Sequence, residues 1–149
     1  PRSSNLRLAK HFSQRDKDQF KLETFEYIAR YFQNSLTELE ARNPGFQGVF
    51  RQIDAQRFFA TIYEHGADLA RATVYLGGMI GGSSYVQGET TDSNSSNEWL
   101  TVEADDQMLY LTSSGMSFSG INREKLSQEG AAELLWALLI SPLQQRRRR

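Results

Sequence analysis

The sequence predicts an α+β domain with a long N-terminal helix, an antiparallel sheet of about five strands, and a buried C-terminal helix packed on the same face of the sheet. Three observations support this fold class. An amphipathic helical pattern occupies residues 13–42, alternating strand patterns follow between residues 49 and 112, and a nearly continuous apolar stretch covers residues 131–140. The length of 149 residues fits a single domain.

The first helix is indicated by apolar residues that recur every three or four positions and therefore share one helical face. They are Leu22, Phe25, Ala29, Phe32, Leu36 and Leu39. Ser13 is a suitable N-cap with Asp16 in a capping-box position, and Asn43-Pro44-Gly45 ends the helix. A coiled-coil seam would show a similar stripe. The phenylalanines suit packing across a sheet better, so we expect this face to lie in the core.

Five strands are predicted from segments rich in β-branched and aromatic residues. They are residues 57–63, 71–76, 84–87, 99–103 and 108–112. Residues 104–107 predict a tight turn between the last two strands. The segment 54–65 has a second interpretation, because a helix with Gly66 as its C-cap would account for the same residues. We prefer a hairpin with its turn at residues 64–68.

The C-terminal helix is predicted from a stretch that is apolar on all sides, which is typical of a buried helix. Leu126 and Ser127 are expected to begin it as hydrophobic staple and N-cap. Pro142 is expected to end it, because proline cannot continue the hydrogen-bond ladder. Trp136 lies in the middle of the stretch, so we expect it in the core, with its indole N–H bonded to a partner.

The composition excludes several functions. The chain contains no cysteine, which rules out disulfides, thiolate metal sites and a cysteine nucleophile, and favours a reducing, cytoplasmic location. The longest apolar run is too short to span a bilayer. Because the chain does not begin with methionine, we expect a piece of a longer protein. It divides into an N-terminal extension (1–12), one domain (13–142) and a basic tail (143–149).

The charge distribution disfavours nucleic acid as a ligand. Residues 44–123, which include the predicted sheet, carry four basic and nine acidic side chains, whereas a phosphate-binding face needs clustered Lys and Arg. The tail Arg146–Arg149 is a short basic run without interleaved aromatic residues. Such a run is unspecific, and we expect it to be solvated.

Two patterns near the middle of the chain resemble metal sites. His65 stands beside Glu64 and Asp68, which could suggest a metal cluster, but an exposed turn is the better explanation of these residues. A second set has the relative spacing of EF-hand ligands and comprises Asp92, Asn94, Ser96, Glu98 and Glu103. Asn97 replaces the glycine that such a loop requires, and strands would flank it. We therefore expect no metal site, and an exposed, mobile loop at residues 88–97.

A glycine-rich segment, Gly77 to Gly82, invites comparison with phosphate-binding loops. Those loops place backbone N–H groups at a helix N-terminus and are followed by a lysine with a serine or threonine. Neither feature follows here. The segment therefore predicts a turn, a bulge or a close backbone approach in the sheet, and no nucleotide cofactor.

These patterns favour a non-catalytic interaction or sensing module, acting as a regulatory domain of a larger protein, with a protein partner or the rest of a longer chain as its ligand. The alternative is a small-ligand domain, for a nucleotide among others, with a pocket between the sheet and the long helix. The side chains expected to bind such a ligand are aromatic, with one arginine for an anionic group. They are Tyr63, Arg71, Tyr75, Tyr85, Trp99 and Tyr110.

Overall fold

The structure is a computed structural model that describes residues 8–77, 82–115 and 125–147, with side chains through residue 145. The elements within these residues are α1 (Gln14–Arg42), β1 (Phe46–Asp54), β2 (Arg57–Glu64), β3 (Ala67–Leu76), β4 (Ser83–Gln87), β5 (Glu98–Ala104), β6 (Leu109–Gly115) and α2 (Gln128–Arg147). Each strand pairs antiparallel with the next in the order β1-β2-β3-β4-β5-β6. The predicted α+β fold is confirmed, with six strands in the described residues instead of about five.

The ends of α1 lie where the sequence predicts them. The Ser13 hydroxyl accepts a hydrogen bond from the Asp16 N–H at 3.1 Å, and the Asp16 carboxylate accepts one from the Ser13 N–H at 2.9 Å. This reciprocal pair is a capping box. At the other end, the Asn43 backbone N–H and side-chain amide both donate to the Leu39 carbonyl. Both helix ends are thus satisfied by local side chains.

Strand β1 is the element that the sequence analysis missed. Residues 46–51 alternate between partly buried and exposed, but no residue of β1 is fully buried, because the strand lies at the edge of the sheet and pairs with β2 alone. Gly48, which weakens a strand pattern, is required for packing here. A Cβ atom at this position would lie 2.8 Å from the Leu36 Cβ, so only glycine lets α1 approach the sheet so closely.

The ambiguous segment 54–65 is not helical. As preferred, it forms part of a hairpin, with the end of β1 at Asp54, a turn at residues 55–56 and strand β2 at Arg57–Glu64. A two-residue turn joins β2 to β3, and both of its residues have positive φ, 50° at His65 and 83° at Gly66. Two positive φ values are typical of a type I′ hairpin turn. The His65 N–H donates to the Gly45 carbonyl at 2.8 Å, which ties this turn to the end of α1. His65 therefore has a structural position in an exposed turn.

Helix α2 begins as predicted but ends later. The Ser127 hydroxyl accepts a hydrogen bond from the Gly130 N–H at 3.0 Å, which confirms the N-cap. The expectation that Pro142 ends the helix is wrong, because α2 continues through Pro142 to Arg147. Proline in a helix interior removes one hydrogen bond, here to the Leu138 carbonyl.

Both helices pack on the same face of the sheet. The core that they bury is formed by every second residue of the strands, such as Phe58, Ala60 and Ile62 of β2. At its centre the Phe58 ring lies 5.7 Å from Phe25, 5.4 Å from Phe32 and 5.0 Å from Phe50, measured between centroids. This aromatic cluster connects α1 to the first two strands.

The two helices run in the same direction along the sheet. Near their starts, the Gln128 side chain donates a hydrogen bond to the Thr24 hydroxyl at 3.1 Å. Near their middles, the Phe32 and Trp136 rings meet edge to face at 5.5 Å. Their C-terminal ends therefore lie at the same end of the sheet, where the cleft described below opens.

Both edges of the sheet are partly covered. At β1, the Glu40 carboxylate accepts a hydrogen bond from the Gly48 N–H and the Asn43 carbonyl accepts one from the Phe46 N–H, both at 3.1 Å. At β6, the backbones of Leu111 and Leu126 exchange two hydrogen bonds. Such covering discourages strand addition by another chain.

The turn between β5 and β6 is confirmed. It also contacts the segment before α1 and the residue Lys125, which precedes α2. The Asp105 carboxylate accepts hydrogen bonds from the N–H groups of Gln107 and Met108 and lies 3.0 Å from the Lys125 ammonium. The Lys10 N–H donates to the Asp106 carbonyl at 2.8 Å. Within the described residues, no helix combines the length and hydrophobicity needed to cross a bilayer.

We predict that Phe58→Ala lowers the free energy of unfolding by about 3–5 kcal/mol, because it removes the centre of the aromatic cluster and leaves a cavity. Urea denaturation followed by circular dichroism measures this change. The control is Leu8→Ala, at a residue that is 70% exposed, for which we expect less than about 0.5 kcal/mol. A loss below about 1 kcal/mol at Phe58 would contradict the assignment of this residue to the core.

We also predict that the Asp105 carboxyl titrates well below its ordinary range. Hydrogen bonding to the Gln107 N–H, to Lys125 and to the Met108 N–H lowers its pKa from 3.8 to about 2. The stabilisation by this carboxylate is therefore complete above its unfolded-state pKa and is lost as the pH falls towards 2. Carboxyl-carbon NMR titration measures the value directly. Lys125→Gln should raise the pKa of Asp105 towards 3.8 without reaching it, since the N–H groups of Gln107 and Met108 remain as donors. A wild-type midpoint at 3.8 would contradict the hydrogen bonds described for this carboxylate.

Candidate functional site

The six side chains predicted to bind a small ligand do not line one pocket. Strand alternation and the pairing register place five of them, Tyr63, Arg71, Tyr75, Trp99 and Tyr110, on the face of the sheet away from the helices. Tyr85 alone points towards the helices, where it is 4% exposed and opposite Val74. Burial raises the pKa of Tyr85.

On the face away from the helices, the predicted residues contact groups of the same chain. The Arg71 guanidinium bonds the Glu89 carboxylate at 2.7 Å and the Asp68 carboxylate at 3.2 Å, and it lies 5.8 Å from the Tyr63 ring centroid. Its hydrogen bond with Asp68 raises the pKa of Arg71. The anion partners of Arg71 are therefore internal carboxylates. Tyr110 lies beneath the Lys125 ammonium, 5.6 Å from its ring centroid.

The loop at residues 88–97 crosses this second face of the sheet and is held there by Arg57, which is 7% exposed. The Arg57 guanidinium donates hydrogen bonds to the Thr90 carbonyl at 2.8 Å, the Asp92 carbonyl at 3.3 Å and the Ser93 hydroxyl at 2.7 Å. It also stacks over the Tyr75 ring at 4.5 Å. A fixed arginine fork of this kind orients several acceptors at once.

Two further contacts attach the same loop to β3. The Tyr75 hydroxyl donates to the Ser95 carbonyl at 2.6 Å, and the Thr73 hydroxyl donates to the Gly88 carbonyl at 2.8 Å. Tyr75 and Thr73 are buried beneath the loop. The predicted exposure of the loop is confirmed, because none of residues 88–97 is buried. The sequence did not indicate its anchors, which are residues of β2 and β3. Its mobility is still a prediction.

The EF-hand-like pattern has no matching geometry. The carbonyls of Thr90 and Asp92 bond the Arg57 guanidinium. Glu98 is buried on the helix-covered side of β5, where its carboxylate accepts a hydrogen bond from the Ser113 hydroxyl. Among the residues that the structure describes, no three His, Asp or Glu side chains come together as a metal site.

Two other segments fall partly outside the described residues. Of the glycine-rich segment, residues 78–81 lie outside, while the Gly77 N–H donates to the Gly82 carbonyl at 3.0 Å, as in the predicted turn. Of the basic tail, the backbone of residues 146–147 continues α2. The arginine side chains lie outside the described part.

A cleft of about 430 Å³ opens between the C-terminal ends of α1 and α2, at one end of the sheet. Its apolar lining comes from four elements and comprises Leu39, Phe46, Leu69, Trp136, Ile140 and Leu143. All six side chains are partly exposed. Asn43, Glu64 and Gln144 complete the lining with polar groups. The cleft therefore offers an apolar floor and a polar margin, the usual composition of a binding site.

The position of the cleft follows from how the two helices are held. The aromatic contact between Phe32 and Trp136 fixes them at their middles, and beyond it smaller aliphatic side chains, Leu39 and Leu143, face the opening. Trp136 forms part of the wall, so the expected burial of this residue is only partial. Helix C-termini carry partial negative charge, and two of them converge here beside the Glu64 carboxylate.

Sequence reasoning missed this cleft because its lining residues look like ordinary core residues in each separate element. Leu39 belongs to the apolar stripe of α1, and Ile140 belongs to the apolar stretch of α2. Leu143 follows Pro142, where the helix was expected to have ended. One signal was available, since two helices with apolar C-terminal ends were predicted on the same face.

Comparison with known proteins shows a family. Residues 47–141 match the Y4lF protein domain. The chain is also 69% identical over 147 residues to "Uncharacterized protein y4lF" of Sinorhizobium fredii (strain NBRC 101917 / NGR234), an alignment that covers 97% of this chain and 46% of the relative. The chain thus spans about half the length of the curated relative that it matches. No solved structure matches it.

We predict that Arg57→Ala releases the loop at residues 88–97 from the sheet, because three hydrogen bonds and the stacking on Tyr75 are lost together. A glutamate-specific protease should then cut after Glu89 at least tenfold faster, since cleavage follows local opening. Arg51→Ala is the control, because Arg51 also stacks on a ring, that of Phe59, but lies away from the loop. Equal cleavage of Arg57→Ala and wild type would contradict the anchoring role.

Proposed function

We propose that this chain, which belongs to the Y4lF domain family and spans about half the length of a longer relative, is a non-catalytic interaction module with a regulatory role in a larger protein. Its binding surface is the cleft between the C-terminal ends of α1 and α2. Its ligand is a polypeptide segment that presents two or three large apolar side chains. A cytoplasmic location belongs to the same proposal and is supported by the absence of cysteine.

One observation carries this proposal, namely that six large apolar side chains meet in a single open cleft. Scattered exposed apolar residues are common on protein surfaces and require no explanation. A contiguous apolar surface bordered by polar groups is instead typical of an interaction site. Burying two or three partner side chains there would contribute roughly 3–9 kcal/mol before the cost of ordering the partner. That range suits a regulated interaction.

A small apolar molecule is the second candidate, and the size of the cleft favours it. The volume of about 430 Å³ falls within the range of roughly 300–1,000 Å³ for small-ligand pockets. The cleft differs in position from the pocket expected between the sheet and the long helix, because α2 forms one of its walls. Its lining shares no residue with the six that were predicted, so stacking on the tyrosines is not part of this candidate.

We predict that Leu143→Asp abolishes partner capture without unfolding the domain, because a carboxylate in the cleft cannot be desolvated by an apolar partner. The matched control is Met108→Asp, at a residue that is 46% exposed at the opposite end of the sheet. The tagged chain and both variants are used as bait in native lysate, with circular dichroism as the check on folding. Proteins bound by wild type and Met108→Asp but lost by Leu143→Asp support the proposal. Equal recovery by all three baits contradicts it.

A fluorescence titration separates the two candidates. In a Trp99→Phe background, Trp136 is the sole tryptophan and reports on the cleft wall. A small-ligand pocket should bind the neutral probe N-phenyl-1-naphthylamine at micromolar concentration and quench Trp136, and Leu143→Asp should remove this quenching. Quenching only at millimolar concentration, together with selective protein capture, favours the polypeptide partner.

A further inference from the structure

The C-terminal part of α2 is packed differently from the part that precedes it. Ala131, Ala132, Leu135 and Leu139 are at most 1% exposed. From Ile140 onward, every side chain of α2 that the structure describes is partly or fully exposed. We call residues 140–147 the arm of α2. Trp136, Ala137 and Leu138 are already partly exposed, and Leu139 is the last fully buried side chain of α2 among the described residues.

Cavities surround the arm. Ile140, Leu143 and Gln144 form a wall of the main cleft. On the other side, Ser141, Pro142 and Gln145 line a second cavity of about 260 Å³, together with Tyr85, Gln87 and Asn97. A third cavity of about 170 Å³ is lined by Leu69, which also lines the main cleft, and by Pro142, which also lines the second cavity. The three spaces therefore adjoin one another along the base of the arm.

The helix is weakened where these cavities meet. Pro142 has no N–H to donate to the Leu138 carbonyl, so the helical ladder lacks a bond at the base of the arm. The end of α1, which forms the opposite wall, is held more firmly. There the Leu39 carbonyl accepts hydrogen bonds from both the backbone and the side chain of Asn43. The α1 wall of the cleft is thus held by two hydrogen bonds at its end, whereas the α2 wall lacks one backbone hydrogen bond at Pro142.

We propose that the arm of α2 is a displaceable wall that regulates the binding cleft. It moves about the Leu138–Pro142 segment, and its displacement joins the three cavities into one groove on the helix-covered face, between Leu39 and Tyr85. The occupant of the enlarged groove is the apolar polypeptide segment proposed above, which is too long for the cleft alone. This inference rests on the proposed function, since the groove is an enlargement of the same cleft.

Amide hydrogen exchange on the intact chain tests the displacement. In wild type, the amides of residues 143–147 should exchange at least tenfold faster than those of residues 38–42 at the end of α1, which are the internal control. Pro142→Ala restores a donor to the Leu138 carbonyl and should slow exchange at residues 143–147 at least tenfold, with residues 131–135 unchanged. Equal exchange at residues 143–147 in the two proteins would overturn the inference.

Two probes of different size connect the displacement to binding. In the Trp99→Phe background, energy transfer from Trp136 measures binding of two neutral dyes, the compact N-phenyl-1-naphthylamine and the longer 1,6-diphenyl-1,3,5-hexatriene. Pro142→Ala should weaken binding of the longer dye at least fivefold and change binding of the compact dye less than twofold. Equal effects on both probes would overturn the regulation of access. If neither probe binds near Trp136, the proposal that the cleft is a binding surface is contradicted. The exchange measurement then still decides whether the arm is displaced.

Discussion

The long helix, the edge strand β1 and its neighbour β2 meet at the side chain of Phe58. Its ring contacts Phe25 and Phe32 of α1 and Phe50 of β1, and Phe32 in turn contacts Trp136 of α2. One connected set of rings therefore fixes both helices relative to the sheet. Rings of this size set the separation of the layers. Where the set ends, aliphatic side chains no longer fill the space between the helices, and the cleft opens.

This arrangement makes the two ends of the domain unequal. At the end where the helices begin, the Gln128–Thr24 hydrogen bond, the Lys125–Asp105 ion pair and the backbone bond from Lys10 to Asp106 link helices, turn and N-terminal segment. At the end where the helices finish, apolar side chains face an open cleft, and Pro142 interrupts one wall. Binding surfaces are commonly drawn from the less stable parts of a fold. The contacts at the closed end therefore hold the two helices in the positions that form the cleft at the open end.

Much of the fold was predictable because its signals are local. The spacing of Phe25, Phe32 and Leu36 specifies α1, and alternation specifies most strands. Strand β1 was missed because an edge strand alternates weakly and because Gly48 has a tertiary role, the close approach of Leu36. The end of α2 was misplaced because proline weakens a helix without always ending it, and α2 continues through Pro142 with one backbone hydrogen bond missing.

The candidate site was less predictable because it is assembled from distant parts of the chain. Strand alternation separates side chains into two faces, but it does not tell which face the helices cover. Tyr85 and Tyr75 therefore looked equivalent, although one lies under α2 and the other under the loop at residues 88–97. The role of Arg57 depends on acceptors more than thirty positions away. Leu39 and Leu143 become partners only once both helices lie on the same face.

Site-specific photocrosslinking in the full-length protein is the most direct test of the claim that the cleft is the binding surface. A benzoylphenylalanine in place of Leu143 lies in the cleft wall, and one in place of Met108 lies at the closed end. We expect position 143 to yield one defined adduct in cells, with an apolar segment of a partner or of the remaining polypeptide, and position 108 to yield none. Identical adducts from both positions, or none from position 143, would contradict the claim.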